Sequence, residues 1–372
     1  MADPLVTVPK EDPPVWNSWK DIPKDPREVA TFGRWFVEVF SGTARLTQTV
    51  RAGKVPCLPP IDITLCAAIP FAFDVVDLDQ WEFFMQLIFF GCIFFAHFGT
   101  PCNSYSGARK DDGGPPPLRS SEFPDGLPVL SDQNLCIVFM GNLFNERTCE
   151  ACIAIVMVGG DFSIENPLGS LIWETPSMKQ LIWNAPAWWV DLDQCAFGAP
   201  SRKPTRLILS NQRMQRSLHK TCPGNHIHEV LKGKVYSEQF KKVVYRTKLA
   251  QEYPWELCRT MAKDIQDLWQ SPLSHLELSF DLKSSESRKR PVGQDIPWKL
   301  HRQQKTALNA LSAGYQLKRG ALKPLIDVET DPGVAVQWAL QIPHPFSVSE
   351  PLSDDLQKAI DQVSRDPQKV PA

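Results

Sequence analysis

Three short segments of the 372-residue chain carry side chains suited to covalent and proton-transfer chemistry. The first is HFGTPCNSYS, His97 to Ser106, in which a cysteine follows a proline at the end of the most apolar stretch. Pro101 restricts the backbone, and loop amides beyond it can lower the Cys102 thiol pKa and favour a nucleophilic thiolate. The second is FSIENP, Phe162 to Pro167, where Glu165 follows an apolar strand and precedes a proline-forced turn. A carboxyl group there, its pKa raised by its pocket, can donate a proton to a ring nitrogen or accept its hydrogen bond. Asn166 can hold the turn through side-chain-to-backbone bonds. The third is FSGTARLT, Phe40 to Thr47, a glycine turn directly after a buried strand. Such a turn brings backbone amides and a helix N-terminus close to a ligand, so Phe40, Ser41 and Gly42 are candidates for a binding turn. Asp62 and Asp77, near later strand ends, can accept hydrogen bonds from ribose hydroxyls or an adenine amine.

These residues are far apart in the chain and meet only if strand ends share one edge. WFVEVF (Trp35 to Phe40) reads as a buried strand, and ARLTQTVRAG as a short helix ending at Gly53. VPCLPPIDI ends near Asp62, but its three prolines make it a poor interior strand. FAFDVVDL offers another strand, WEFFMQLIFF a helix and CIFFAHF a strongly buried strand. Residues 99–128 form a long loop of the kind that makes lids or binding walls. A helix is expected over about 132–158, with strands at DFSIENP, WWVDL and TRLILS. The alternation predicts an α/β fold: a doubly wound, mainly parallel sheet with helices on both sides, exceeding five strands if every candidate joins it. A helix over 248–269 should bend or restart at Pro254. The expected organisation is an extended N-terminal arm (1–33), a core (34–211), a basic region with a supporting helix (212–270) and a loosely structured extension (271–372).

With 43% hydrophobic and 22% charged residues, the chain can bury a core and is not disordered throughout. A net charge of -2 excludes a histone-like polybasic protein, but the charge is uneven: residues 1–200 carry -11 and residues 201–250 carry +10. Arg202, Lys203, Arg206, Arg213, Arg216 and Lys220 lie in that basic stripe, the best candidates for phosphate contact on DNA or RNA. Ten cysteines without short-chain disulfide spacing, and no apolar leader, favour a reducing, intracellular setting. SRKR at Ser287 to Arg290 allows nuclear import. The apolar run Phe83 to Phe98 is too short to span a bilayer, so no membrane association is expected.

Taken together, FSG at Phe40 to Gly42, PC at Pro101 to Cys102 and ENP at Glu165 to Pro167 resemble the cytosine-C5 DNA methyltransferase family, particularly divergent mobile-element or viral-type members. The resemblance covers roughly residues 34–211. It implies a fold of S-adenosylmethionine-dependent methyltransferase type, with S-adenosyl-L-methionine near Phe40 to Gly42, Asp62 toward its ribose and Asp77 toward its adenine. It further implies a flipped target cytosine, Cys102 attacking C6, and Glu165 interacting with N3 and the exocyclic amine. DNA is the implied partner, with RNA the principal alternative. The sequence departs from the family pattern in two places. Asn103, rather than Gln, follows Cys102, and DQCAFGAPSRKPTR (Asp193 to Arg206) stands where a QxRxR arrangement is common. These departures leave open a nucleic-acid-binding or retroelement accessory protein that has lost catalysis.

A cysteine-dependent hydrolase is a third reading, with His97 as base to Cys102 and Asp62 or Asp77 as orienter. For metals, Cys149 and Cys152 form a CxxC pair, but inside a predicted helix. Cys222, His226 and His228 can meet Cys195, yet core thiols and solvent-facing histidines need fewer assumptions. No metal is therefore expected.

Overall fold

The computed structural model describes residues 13–66, 69–110, 114–238 and 241–270, together with the backbone of one hairpin, Tyr315–Lys318 and Ala321–Pro324. In chain order the elements are α1 (Pro26–Ala30), β1 (Trp35–Val39), α2 (Arg45–Ala52), α3 (Leu78–Phe89), β2 (Ile93–Phe98), α4 (Asp132–Met157) and β3 (Asp161–Pro167). They continue as α5 (Pro176–Asn184), β4 (Trp188–Asp193), β5 (Pro204–Leu209), α6 (Gln215–Leu218), the hairpin β6 (Lys234–Ser237) and β7 (Lys242–Tyr245), α7 (Arg246–Leu249) and α8 (Trp255–Gln270).

Five strands form the main sheet in the order β1-β2-β3-β5-β4. β1, β2 and β3 are parallel, whereas β5 is antiparallel to both β3 and β4. The mainly parallel expectation is thus corrected to a mixed sheet with α/β architecture. The segment VPCLPPIDI touches the β1 edge only through isolated parallel bridges, Phe36 to Cys57 and Val39 to Ile61, as its missing proline N–H groups require.

Alternation along the strands divides the core. Trp35, Val37 and Val39 of β1 pack on one face with α3 and α4, whereas Phe36 packs on the other with α2 and α8. Leu46 and Val50 of α2 meet Leu257, Met261 and Ile265 of α8 there. Each large side chain buried in these layers contributes roughly 1.5–3 kcal/mol.

Several expectations fail locally for identifiable reasons. FAFDVVDL forms no strand: the Asp74 carboxylate accepts from the Val76 N–H at 2.8 Å, and Asp77 caps α3 by accepting from the Gln80 N–H at 3.0 Å. Local side-chain bonds have captured the backbone there. The helix expected over 248–269 does restart at Pro254 as anticipated: α7 ends at Leu249 and α8 begins at Trp255, with the Pro254 carbonyl accepting from the Cys258 N–H. The segment expected as an extended arm is docked from residue 13 onward. Trp16 lies 4.5 Å from Trp35, Trp19 lies 4.5 Å from Phe73, and Ile22 and Val29 are buried. The expected extension, 271–372, falls outside the described residues apart from the hairpin backbone, and SRKR falls outside them entirely. No described helix is long and apolar enough to cross a membrane.

Candidate active site at the edge of the sheet

Register fixes the candidate residues before any loop is considered. Val39, Phe98 and Ile164 are aligned across β1, β2 and β3, so the chain leaves β1 at Phe40 and β2 at Gly99 beside Glu165 of β3. Parallel strands bring all three exits to one edge, where Cys102 follows β2 by four residues.

The exits are tied together. Asn166 Nδ2 donates to the Thr100 carbonyl at 2.6 Å, binding the end of β3 to the loop that presents Pro101 and Cys102. Gly99 approaches the first turn so closely that a Cβ there would stand 2.9 Å from the Phe40 carbonyl oxygen and 3.0 Å from Tyr253 Oη. The loop beyond Cys102 is pinned by Arg119, which donates to Ser104 Oγ, to Asn142 Oδ1 on α4 and to two carbonyls, with its guanidinium 3.7 Å from the Tyr105 ring.

A buried polar network lies under this edge. Glu38, His97 and Ser163 are register partners on successive strands, and with Glu165 they face the α2 and α8 side. His97 Nδ1 is hydrogen-bonded to Ser163 Oγ at 2.8 Å and Nε2 to Tyr253 Oη at 3.0 Å, while Tyr253 Oη donates to Glu165 Oε2 at 3.3 Å. Burial holds His97 neutral, its pKa lowered to about 3. Both ring nitrogens are engaged, so His97 has none to offer Cys102, and the hydrolase triad loses its base.

Glu165 Oε1 accepts no hydrogen bond, but the Lys203 ammonium stands 3.7 Å away. Lys203 sits in left-handed backbone, φ 36°, as do Phe40 and Ala44 at 56° and 55°. Strained non-glycine residues thus gather around one edge, as they do at functional sites. Cys102 is half-buried. Burial first, and then the Glu165 charge, raise its thiol pKa, while Lys203 opposes them. The expected lowering by loop amides is therefore corrected: in the free protein the thiol stays protonated near neutrality.

The first turn is built around Asp62, whose Oδ2 accepts from the Gly42 N–H at 2.8 Å and whose Oδ1 accepts from the Thr64 N–H at 2.6 Å. Burial raises the Asp62 pKa. Gly42 has φ 57°, and a Cβ there would meet open space. Ser41 is buried, with its hydroxyl toward the Ile61 carbonyl. The Phe40 ring packs on Phe144 of α4 at 5.3 Å. α2 has no side-chain cap of its own: Glu38 reaches across from β1, accepting from the Thr47 N–H at 2.7 Å and Thr47 Oγ1 at 2.6 Å. Burial pushes Glu38 up to about 7. Asp77 caps α3 and interacts with Arg147, so it stands apart from the Gly42 turn's hydrogen bonds.

The basic candidates divide. Arg202 is paired with Asp193, and Arg206 pairs with Asp191 through two bonds of 2.6 and 2.8 Å while covering the Trp189 ring. Lys203 turns inward to Glu165. Of the six, only Arg213 and Arg216 line one shared surface depression, together with Gln212, Gln215 and His219. The stripe is therefore several local arrangements rather than a continuous cationic face.

The sequence reading missed Tyr253, Ser163 and Glu38 as members of this edge. For Glu38 and Ser163 the signal was present as a polar residue in the same phase of WFVEV and DFSIENP as His97 in IFFAHF, whereas Tyr253, in the turn before α8, carried no such signal. No family model matches this chain, and no curated protein matches it in sequence.

Proposed function

We propose that this protein is a cytosine-C5 methyltransferase acting on DNA, with Cys102 as nucleophile and Glu165 as the group that holds the base. The observation carrying this reading is the pairing of a thiol and a carboxyl group on the exits of adjacent parallel strands, tied by the bond from Asn166 to Thr100. The requirements of the reaction match that pair. Glu165 holds N3 and the exocyclic amine of a flipped cytosine by hydrogen bonds. Lys203, 3.7 Å from Glu165 Oε1, balances charge in the pocket. Cys102 Sγ bonds to C6 as its proton passes by way of Glu165 to N3, and the C5–C6 π pair shifts to C4–C5 while the C4–N3 π pair moves onto N3. C5 thereby becomes nucleophilic. After methylation, C5 gives its proton to water and the Sγ–C6 bond breaks as N3 returns its proton by way of Glu165, restoring the ring and the Cys102 thiol.

The first turn supports a donor site: open space above Gly42, a half-buried Asp62 carboxylate bonded to its N–H and three left-handed residues bending the chain there. Bound there, S-adenosylmethionine would supply an electrophilic methyl group. Phe40, Ser41 and Gly42 would shape its seat and Asp62 would accept from a ribose hydroxyl. Asp77, committed to capping α3, is a weaker candidate for the adenine end.

The test is covalent trapping. The full chain, labelled methyl donor and duplex DNA containing 5-fluorocytosine should give a denaturation-resistant adduct mapping to Cys102, because fluorine at C5 blocks the final proton loss. Cys102→Ala should give none while retaining donor binding. RNA of the same sequence, run in parallel, identifies the preferred sugar. Absence of an adduct on both polymers, with donor bound and the chain folded, overturns the reading.

A further inference from the structure

Away from the sheet edge, four side chains from two separate segments converge. Cys195 lies in the short 3-10 turn Gln194–Phe197 after β4, and Cys222, His226 and His228 lie in the segment after α6. One ligand atom from each falls within 4.8 Å of all the others. Cys222 Sγ stands 3.3 Å from His228 Nε2 and 3.9 Å from His226 Nε2. A tetrahedral zinc ion with about 2.3 Å bonds to sulfur and about 2.0–2.1 Å bonds to nitrogen places its ligand atoms roughly 3.3–3.8 Å apart. A contraction of about 1.5 Å at most reaches that geometry.

We propose that Cys195, Cys222, His226 and His228 form a structural zinc site, and the expectation of no metal is revised accordingly. The inference is independent of the methyltransferase reading. The donor set is closed: two thiolates neutralise the dication and two neutral imidazoles complete four ligands, leaving no open position for catalysis.

The surroundings favour a metal over a chance meeting. In the HIH sequence the histidines are two residues apart, the spacing that puts both rings on one side of an extended chain. His226 Nδ1 is 3.3 Å from Asn225 Oδ1, which fixes the proton on Nδ1 and leaves the Nε2 lone pair facing the cluster. The Gly224 N–H donates to Cys222 Sγ at 3.3 Å, a contact that stabilises a thiolate, and Gly224 occupies φ 72° to make it. The Cys222 N–H donates to Asp193 Oδ2 at 2.9 Å, anchoring the ligand loop to the end of β4.

The segment also lacks another means of support. Between His219 and Gly233 only Cys222, His228 and Leu231 are even half-buried, and Ile227 is 98% exposed. A chain with so little apolar burial is ordered by ligation where a core is missing. Its continuation through Glu229, Val230 and Leu231 walls a cleft of about 430 Å³ that also takes in Arg45, Gln194 and Trp255. The ion would thus hold one wall of a cleft whose other side carries Glu252 and Pro254.

Metal content of the full chain, purified under reducing conditions, decides the matter. Elemental analysis should find one zinc per chain, and cobalt substitution should give the visible bands of a tetrahedral ion with thiolate charge transfer. Cys222→Ser and His228→Ala should each lose the ion and expose the segment 219–233 to protease, whereas Cys136→Ser, on α4, should keep it. Far-UV circular dichroism separates loss of the ion from loss of the fold. Failure to bind zinc or cobalt, uptake unchanged in Cys222→Ser, or a Cys195–Cys222 disulfide detected by mass in place of the ion would each overturn the proposal.

Discussion

The edge that carries Cys102 and Glu165 and the segment that carries Cys222, His226 and His228 are held by opposite means. At the edge, strand register sets the positions, fully buried neighbours fill the space beneath, and Asn166, Tyr253 and Arg119 bind the exits to one another. The segment has neither helix nor strand from His219 to Lys232, and almost nothing buried except the side chains of its own cluster. The first region inherits its geometry from the core, so its chemistry is sensitive to packing. The second is nearly independent of the core and depends on a few contacts. Substitutions should therefore have graded consequences that follow this division.

The largest expected effect is chemical. Glu165→Gln should lower methyl transfer by ~10²–10⁴-fold, the range for loss of a positioned proton donor, with donor binding retained. Transfer at the unsubstituted rate would remove Glu165 from the mechanism. Next comes acidity. Glu38 has a raised pKa, so the folded state holds its proton more tightly than the unfolded state between pH 4.5 and about 7. Its contribution is fully present below pH 4.5 and is lost as pH rises through 7, a change on the order of 3 kcal/mol. Urea unfolding across that window should show the decline, and Glu38→Gln, which keeps an acceptor for Thr47, should flatten it. An unchanged slope in the variant would assign the decline to other groups.

Gly99→Ala should cost ~1–3 kcal/mol, because its Cβ must displace either the Phe40 carbonyl or Tyr253. A denaturation midpoint equal to that of the parent would show that the edge yields more easily than its contacts require. The smallest effect belongs to Ile227→Ala, expected within ~0.5 kcal/mol because the side chain already lies in water. A cost above ~1 kcal/mol would mean that the segment packs against something besides its own cluster, erasing the contrast between the two regions.

Much of the edge was legible in the sequence, since long apolar strands ending in Gly-Thr-Pro-Cys and Glu-Asn-Pro define both the elements and the exits. The strands at Trp35, Ile93, Asp161, Trp188 and Pro204 and the long helix α4 all form where apolar runs and turn residues indicate. Strand direction was not legible: β4 and β5 each read as a buried apolar run, and nothing in such a run states whether it is parallel to its neighbour. FAFDVVDL shows a different limit, because its apolar residues suit a strand while its aspartates suit a turn and a helix cap, and the aspartates prevail. Lys203 was placed in the basic stripe by composition, yet a single left-handed residue turns it to Glu165. The Cys/His cluster was visible as four residues able to meet, but their convergence was not, since Cys195 joins from 27 positions before Cys222 through a fold-level contact.

The docking of Trp16 on Trp35 has a practical consequence for anyone shortening this chain. A truncation placed at residue 33, where composition suggests that the body of the protein begins, would strip an indole from the starting end of β1 and leave the Trp35 ring facing solvent. Preparations beginning there should clump and respond to detergent, whereas those beginning upstream of Trp16 should remain dispersed.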